Sequence, residues 1–189
     1  MFATQPPFIL NTPYEDNIMK TIYICLLALF IMPLHSWGKA LEMFFIQRSK
    51  NKNEVHYLLN VDENCQIVDN ESVTGMWKML EEGPNATKPL SAFDRMAYSA
   101  ENKEVVGNWV QFNLKALEER LIKATTIYDP KTNKCSPMVQ VKINGKWAIL
   151  DHIYVSSEEG FLMPQVMYID IFGKSLEATP QKVAERIKP

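Results

Sequence analysis

Apolar and polar residues alternate with a period of two along much of the chain after residue 40, which is typical of strands with one buried face. In segment 55–61, large apolar residues occupy every odd position. In segment 139–143 two valines and an isoleucine alternate with polar residues and lead to Asn144-Gly145, a dipeptide strongly preferred in tight hairpin turns. Trp147–Val155 is then the returning strand.

Other apolar segments predict further strands. Leu41–Arg48 is a nearly continuous apolar run, which favours a strand buried on both faces, and turn-forming residues follow it at 49–53. We also predict strands at Gln66–Val68, Val73–Leu80 and Gln165–Phe172, a loop at Glu82–Pro89, and a short C-terminal helix or tail that begins at Thr179-Pro180.

The segment Trp109–Tyr128 fits two periodicities. Its first half alternates as a strand should, whereas the leucines from Leu114 onward also fit helical spacing. The β-rich end before Asp129-Pro130 favours two strands with a turn at Glu118-Glu119. Ser91 and Asp94 form the pattern of a capping box, so one short helix is expected after Ser91.

These elements predict a mainly β fold. We expect an antiparallel β-barrel or sandwich of about eight or nine strands with one short helix. A meander should run from Trp109 to Val155. Residues 41–189 are long enough for a single domain with one core.

The segment 19–40 resembles a secretory signal peptide. Met19-Lys20 precedes an apolar run that ends at Pro33, and small residues follow at Ser36, Gly38 and Ala40. Cleavage is expected after Gly38 or Ala40, which would give a periplasmic or secreted protein with no membrane span. Residues 1–18 are interpreted as an extension from a start codon placed too early.

A membrane anchor is the alternative reading of this segment. A spanning helix needs about 20 apolar residues, and Pro33 and His35 interrupt the run before that length. Cys25 lies inside the run without the small residue expected before a lipidated cysteine, so a lipoprotein is not predicted.

Charge and cysteine content narrow the function classes. The formal net charge is −2, and without a basic patch nucleic acid is not an expected partner. Cys65 and Cys135 remain after cleavage, and in an oxidising compartment they form either a disulfide or two buried thiols.

Several short patterns lie along the mature chain. The first is the segment 48–53 that leads to Val55 and Tyr57. The others are Met76-Trp77, Arg95 with Ala97-Tyr98, Asn144–Lys146, Ile153–Val155 and residues 166–173. Together these patterns resemble an exported bacterial family known as domain of unknown function 4833. Ser99 stands where the family pattern has glycine. The resemblance implies one exported domain over nearly the whole mature chain and implies no reaction.

The sequence contains no recognisable catalytic motif. His56 and His152 have no metal-ligand spacing, and neither a Gly-x-Ser-x-Gly motif nor a glycine-rich phosphate loop occurs. Asp151 and His152 are neighbours on a strand, so their side chains should point to opposite faces. We therefore expect no cofactor and no metal, and we favour a protein that is not an enzyme.

The candidate site consists of polar and aromatic residues in apolar surroundings. Two arginines could hold an anionic group while rings pack on the ligand; these residues are Arg48, Tyr57, Trp77, Arg95 and Tyr98. The purely structural reading pairs Arg48 with Glu42 or Asp94 and uses the rings as core.

The function that these observations favour is non-catalytic binding of a small or partly apolar ligand by a monomer of the cell envelope. The alternatives are an envelope hydrolase acting on glycan or peptide, with carboxylates such as Asp94 doing acid–base work, and a structural envelope protein.

Overall fold

The computed structural model describes residues 38–158 and 165–188. The extension 1–18 and the leader, apart from its last three residues, lie outside this part. The strands are β1 (Lys39–Arg48), β2 (Asn51–Val61), β3 (Val73–Lys78), β4 (Thr87–Pro89), β5 (Ala100–Val106), β6 (Trp109–Leu114), β7 (Leu117–Asp129), β8 (Lys134–Ile143), β9 (Lys146–Glu158), β10 (Gln165–Ser175) and β11 (Lys182–Ile187), and the helix is α1 (Ala92–Tyr98).

All eleven strands of the described ranges join one open sheet. The main order is β4-β3-β2-β1-β9-β8-β7-β6-β5, and β10 and β11 branch from β9. Every pairing is antiparallel except that of β1 with β9, where Phe45 lies opposite His152. The predicted mainly β fold is confirmed, but a closed barrel is wrong, because β4 and β5 are the ends of the ladder and do not pair. The sheet also has more strands than expected.

The core follows from the period-two pattern. Phe44 and Ile46 of β1 alternate with residues of the opposite face and are buried, as are the odd-numbered apolar residues of β2. Phe44 stacks on Tyr57 with ring centroids 4.7 Å apart. Phe112 and Ile171 belong to the same buried cluster, so one core serves the whole sheet.

Two groups of strands on either side of β9, which we call the arms of the sheet, contact each other without pairing their backbones. The first arm is β1–β4 and the second is β5–β8. Cys65, after β2, and Cys135, on β8, form a disulfide, and the Thr126 hydroxyl on β7 donates to the Cys65 carbonyl at 2.7 Å. The disulfide and this hydrogen bond join the arms where backbone pairing does not.

The predicted meander is confirmed over β6, β7, β8 and β9, which pair in sequence order. Its tightest turn is Asn144-Gly145, with positive φ angles of 51° and 77° at the two residues. The turn predicted at Glu118-Glu119 is wrong, since Lys115 and Ala116 make it. Leu114 pairs with Leu117, so both leucines reach the core and the glutamates remain exposed on β7.

Three other local predictions are wrong. Gln66–Val68 is not a strand, because the Asp62 carboxylate binds the backbone of a turn there and only one bridge forms, between Val61 and Ile67. The predicted loop 82–89 is a loop only up to residue 86, because Thr87–Pro89 pairs with β3 as β4. The predicted C-terminal helix or tail is instead β11, in which Val183 and Ile187 alternate with exposed residues and pack against the core.

The predicted helix is confirmed, with its capping box. The Ser91 side chain accepts from the Asp94 amide, and the Asp94 carboxylate accepts from the Ser91 amide at 3.0 Å. No helix residue is buried, and Phe93 and Met96 are both more than half exposed. Capping and contacts at the end of the helix therefore hold it, rather than an apolar face. Within the described ranges no helix has the length and apolarity needed to cross a membrane.

Candidate functional site

Arg48 lies at the end of β1 against an aromatic ring of β3. Its guanidinium carbon is 4.3 Å from the centroid of Trp77, and its Nη2 donates to the Asn51 side-chain oxygen at 3.1 Å. The β1–β2 turn thus holds the guanidinium from one side and the indole holds it from another. Such a cation–π contact fixes the guanidinium without neutralising its charge.

Helix α1 brings Asp94 to the same place. Partial burial acts to raise the pKa of Asp94, but hydrogen bonds from the Ser91 hydroxyl, from Trp77 and from the Ser91 amide, together with the charge of Arg48, hold that pKa below its usual value. Arg48 and Asp94 nevertheless do not form an ion pair within 4 Å. Neither pairing of the structural reading is therefore made, since Glu42 faces His56 instead.

Two tyrosines complete the cluster. Tyr98 packs edge-on against Trp77 with centroids 5.7 Å apart, and the Tyr57 hydroxyl donates to the Tyr98 carbonyl at 2.8 Å. Burial, and to a smaller extent the neighbouring Tyr98, raises the pKa of Tyr57 far above its usual value. Tyr57 is fully enclosed and Trp77 is nearly so, which makes both rings walls of the core rather than of an open site.

Four of the five predicted residues therefore converge: Arg48, Tyr57, Trp77 and Tyr98. Arg95 does not join them; it is exposed on α1, and its guanidinium donates to the Leu90 carbonyl at 3.1 Å. The sequence predicts Asp94 in the capping box, in an internal ion pair with Arg48 or in a rival reaction, but not among the ligand-binding residues. Its spacing from Tyr98 on one short helix was the available signal for its place here.

An open cleft of about 270 Å³ adjoins Arg48. Its other lining residues are Gln47, Asn51, Lys52, Asn53, Glu54, Leu80 and Tyr154. The asparagines were predicted only as turn residues. Asn53 is buried, and its side-chain oxygen accepts from the Glu81 amide at 3.3 Å, so it also ties β2 to the segment after β3.

Four aromatic rings form a ladder on the other face of the sheet. The rings of His56, Phe45, His152 and Phe172 come from β2, β1, β9 and β10, with successive centroids 5.3, 5.4 and 4.5 Å apart and planes within 18°. We call these four residues the ring ladder. Its rings cover one another across the strands, so it offers ring edges rather than faces to a ligand.

His56 ends the ring ladder between two carboxylates. Its Nε2 lies 2.8 Å from a Glu54 oxygen, and its Nδ1 lies 3.0 Å from a Glu42 oxygen in an approach too poorly aligned to count as a hydrogen bond. The histidine is buried, Glu54 is largely buried and Glu42 is exposed. A reacting group therefore has no open path to either ring nitrogen.

The Asp151 and His152 side chains were expected to point to opposite faces of their strand, and this prediction is wrong because they contact each other. The His152 Nδ1 lies 2.9 Å from an Asp151 carboxylate oxygen. Pairing of β9 with β10 shifts register between Leu150 and His152, and this irregularity releases Asp151 from strict alternation. Both residues line an open cleft of about 280 Å³ that holds no serine or cysteine nucleophile among its described lining residues.

A larger cleft of about 670 Å³ lies beside the disulfide and is lined mainly by polar groups of the β2–β3 connection and of the β5–β6 turn. Across residues 38–158 and 165–188, no three His, Cys, Asp or Glu side chains are placed to hold a metal ion.

A model of the family described as Domain of unknown function (DUF4833) matches residues 44–186, which is most of the chain. The chain belongs to this family. The DUF4833 match begins within β1 and ends within β11, so it includes Arg48, Trp77, Asp94 and the whole ring ladder. No curated protein and no solved structure matches the chain.

Proposed function

We propose that this DUF4833 protein is a non-catalytic domain of the cell envelope that binds a small ligand through an anionic group held by Arg48. One observation carries the proposal. The Arg48 guanidinium is fixed on Trp77 beside an open cleft, with no carboxylate in ion-pair contact with it among the described residues.

The hydrogen-bonding state of Arg48 supports an anionic partner. A guanidinium has five N–H donors, and Asn51 accepts from one of them. Its Nε is buried and has no acceptor within the described part of the chain. Because an unpaired guanidinium is costly in partly buried surroundings, a carboxylate or phosphate in the cleft would gain a charge-assisted contact.

The rest of the cleft suits a partly apolar ligand body. Tyr154 and Leu80 supply apolar surface, and Lys52 adds a second positive charge. Gln47 and Glu54, which are hydrogen-bonded to each other at 3.0 Å, form a polar border. A few placed polar groups beside apolar walls are the usual composition of a ligand site.

The chemistry of the cluster favours binding over catalysis. With its pKa lowered, Asp94 stays ionised at neutral pH and has no proton to give as a general acid. With its pKa raised by burial, Tyr57 stays protonated and enclosed. Asp94 is the carboxylate that the sequence offers for acid–base work in an envelope hydrolase, so that alternative has less support.

Export is part of the same proposal. It is supported by the leader pattern at 19–40 and by a disulfide, which is typical of proteins outside the cytoplasm. β1 begins at Lys39, so cleavage after Gly38 would leave the strand whole. Mass spectrometry of the protein from its own host should find a mature N-terminus at Lys39 or Leu41; an intact 33–41 peptide contradicts export with cleavage.

Calorimetric titration with two probes tests the binding proposal. N-acetylphenylalanine carries a carboxylate beside an apolar ring, and N-acetylphenylalaninamide differs only in lacking that charge. We expect the acid to bind and the amide to bind at least about tenfold more weakly, and Arg48→Gln should remove that difference.

Arg186→Gln is the matched control. Arg186 also stacks on an aromatic ring, 3.8 Å from the Tyr168 centroid, but lies on an exposed part of β11. Circular dichroism should show both variants folded. Equal binding of the acid and the amide, or equal losses in the two arginine variants, would contradict a site at Arg48.

A further inference from the structure

A different cleft, of about 470 Å³, lies between the β8–β9 hairpin and the connection from β10 to β11. Its floor is apolar, because Ile143 and Ala148 are buried and Val183 packs on the core. Leu176 stands at its border and is 49% exposed. The volume falls within the range of about 300–1,000 Å³ typical of small-molecule sites.

Trp147 forms a wall of this cleft and is surrounded by lysines. The Nζ atoms of Lys123 and Lys142 lie 4.9 and 5.5 Å from its ring centroid, and Lys146 lines the cleft itself. In the part of the chain that the structure describes, none of these three ammonium groups forms an ion pair within 4 Å. Lys146 and Glu177 are the two charged residues of the lining itself, so the excess of positive charge comes from Lys123 and Lys142 over the Trp147 ring beside the cleft.

We propose that this cleft binds a single-chain amphiphile with an anionic head group, either a carboxylate or a phosphate. The alkyl chain would lie on the Ile143–Ala148 floor and cover the exposed Leu176. The head group would remain at the rim near the lysines. Burying the alkyl groups supplies the favourable free energy, and the ammonium groups select the charge of the head.

This site is independent of the one at Arg48. The two clefts share no lining residue, and this one takes residues from β8 to β11 rather than from the β1–β2 turn. A failure of either proposal therefore leaves the other standing, and Arg48→Gln should bind the amphiphile as the unaltered protein does.

Tryptophan fluorescence of the full chain provides the test, with dodecanoate and dodecyl phosphate as probes below their critical micelle concentrations. We expect saturable binding and a blue shift of emission that Trp147→Phe abolishes, because the alkyl chain displaces water from the indole. Dodecyl maltoside, which has a neutral head, and dodecyltrimethylammonium, which has a cationic head, should bind at least about tenfold more weakly.

Two variants test where the alkyl chain and the head group of the amphiphile bind. Leu176→Asp places a charge beside the alkyl chain, and Lys142→Glu reverses a charge near the head, so each should weaken dodecanoate binding about tenfold or more. Val106→Asp is the matched control, since it introduces the same charge at another exposed apolar residue, on β5. Salt should weaken binding of both anionic probes.

The comparison of the two anionic probes identifies the head group, because the tighter of them reports whether carboxylate or phosphate is preferred. The proposal is overturned if all four amphiphiles bind equally, or if Leu176→Asp behaves like Val106→Asp. It is also overturned if the protein sediments with phosphatidylglycerol vesicles, but not with phosphatidylcholine vesicles, and binds neither soluble anionic probe, because the surface would then recognise a membrane.

Discussion

At the scale of single residues, His56 makes one kind of contact through the faces of its ring and another through the ring nitrogens at its edges. Its faces belong to the ring ladder, through Phe45, and its edges meet the carboxylates of Glu42 and Glu54. The stacking contact depends on ring shape alone. The contact with Glu54 depends on a nitrogen donor, because Glu54 is largely buried and loses water on folding.

Replacement of His56 by phenylalanine separates these contacts. His56→Phe keeps a ring against Phe45 but leaves the Glu54 carboxylate without its 2.8 Å partner. We expect the free energy of unfolding to fall by about 2 kcal/mol, measured by urea denaturation. Glu42→Gln is the control, and because Glu42 is exposed it should cost less than about 0.5 kcal/mol. Equal losses would show that ionic contacts at both nitrogens matter alike.

At the scale of elements, β11 is held by the Glu185 side chain in addition to its ladder with β10. Glu185 accepts two hydrogen bonds from Arg120 of β7, at 2.6 and 3.2 Å, and another at 2.6 Å from the Asn144 amide of the hairpin turn. Burial acts to raise the pKa of Glu185, but these hydrogen bonds and the charge of Arg120 outweigh it and hold the pKa below its usual value.

The pH dependence of β11 follows from that lowered pKa. The Glu185 carboxylate contributes its full stabilisation above the pKa of an unfolded glutamate, about 4.3, and loses it as the pH falls through the lower folded value. Glu185→Gln should destabilise the protein by about 1.5 kcal/mol at pH 7 and by progressively less below about pH 4. It should also speed amide hydrogen exchange in β11.

Asp129→Asn provides a comparison. Hydrogen bonds from the Lys131 amide and Thr132 hydroxyl lower the pKa of Asp129, so stability there too falls with acid. Asp129 is the fully exposed last residue of β7, however, and exchange in β11 should not respond to its replacement. Equal exchange rates in Glu185→Gln and the unaltered protein would contradict the role given to Glu185.

The elements that sequence patterns predicted share a local cause. The Asn144-Gly145 hairpin and the Ser91–Asp94 cap depend on residues a few positions apart, and so does alternation in β2 and β8. β5 and β11 escaped prediction because they are edge strands rich in charge, whose pairing is decided by distant neighbours. The contact between Asp151 and His152 was not predicted because strict alternation assumes an unbroken register, and the register of β9 with β10 shifts at Asp151.

The same distinction applies to the candidate site. Arg48, Tyr57, Trp77 and Tyr98 were selected by residue type, and the fold brings them together. Arg95 has the same chemistry as Arg48, but its helix has no buried face, so its guanidinium stays on its own segment. Residue type therefore selects candidates, whereas the direction of each side chain depends on pairings that no local pattern records.

At the scale of the whole molecule, the disulfide joins the two arms of an open sheet. Its cysteines are 70 residues apart, a separation for which the chain-entropy model gives about 4 kcal/mol of stabilisation. Replacing both Cys65 and Cys135 with alanine should lower the free energy of unfolding by about that amount, as measured by urea denaturation. A reductant should destabilise the unaltered protein and leave the double variant unchanged. Loss of much less than about 2 kcal/mol would show that the shared core alone holds the arms.

The parallel pairing of β1 with β9 predicts the order in which strands pair during folding. β8 and β10 flank β9 in sequence, whereas β1 precedes it by about a hundred residues. Closing so long a loop costs conformational entropy, so we expect the local meander to form before β1 pairs with β9. β1, the first of the described strands, must therefore wait for one of the last, and until β9 is in place the edge of β1 that pairs with it remains open to other partners.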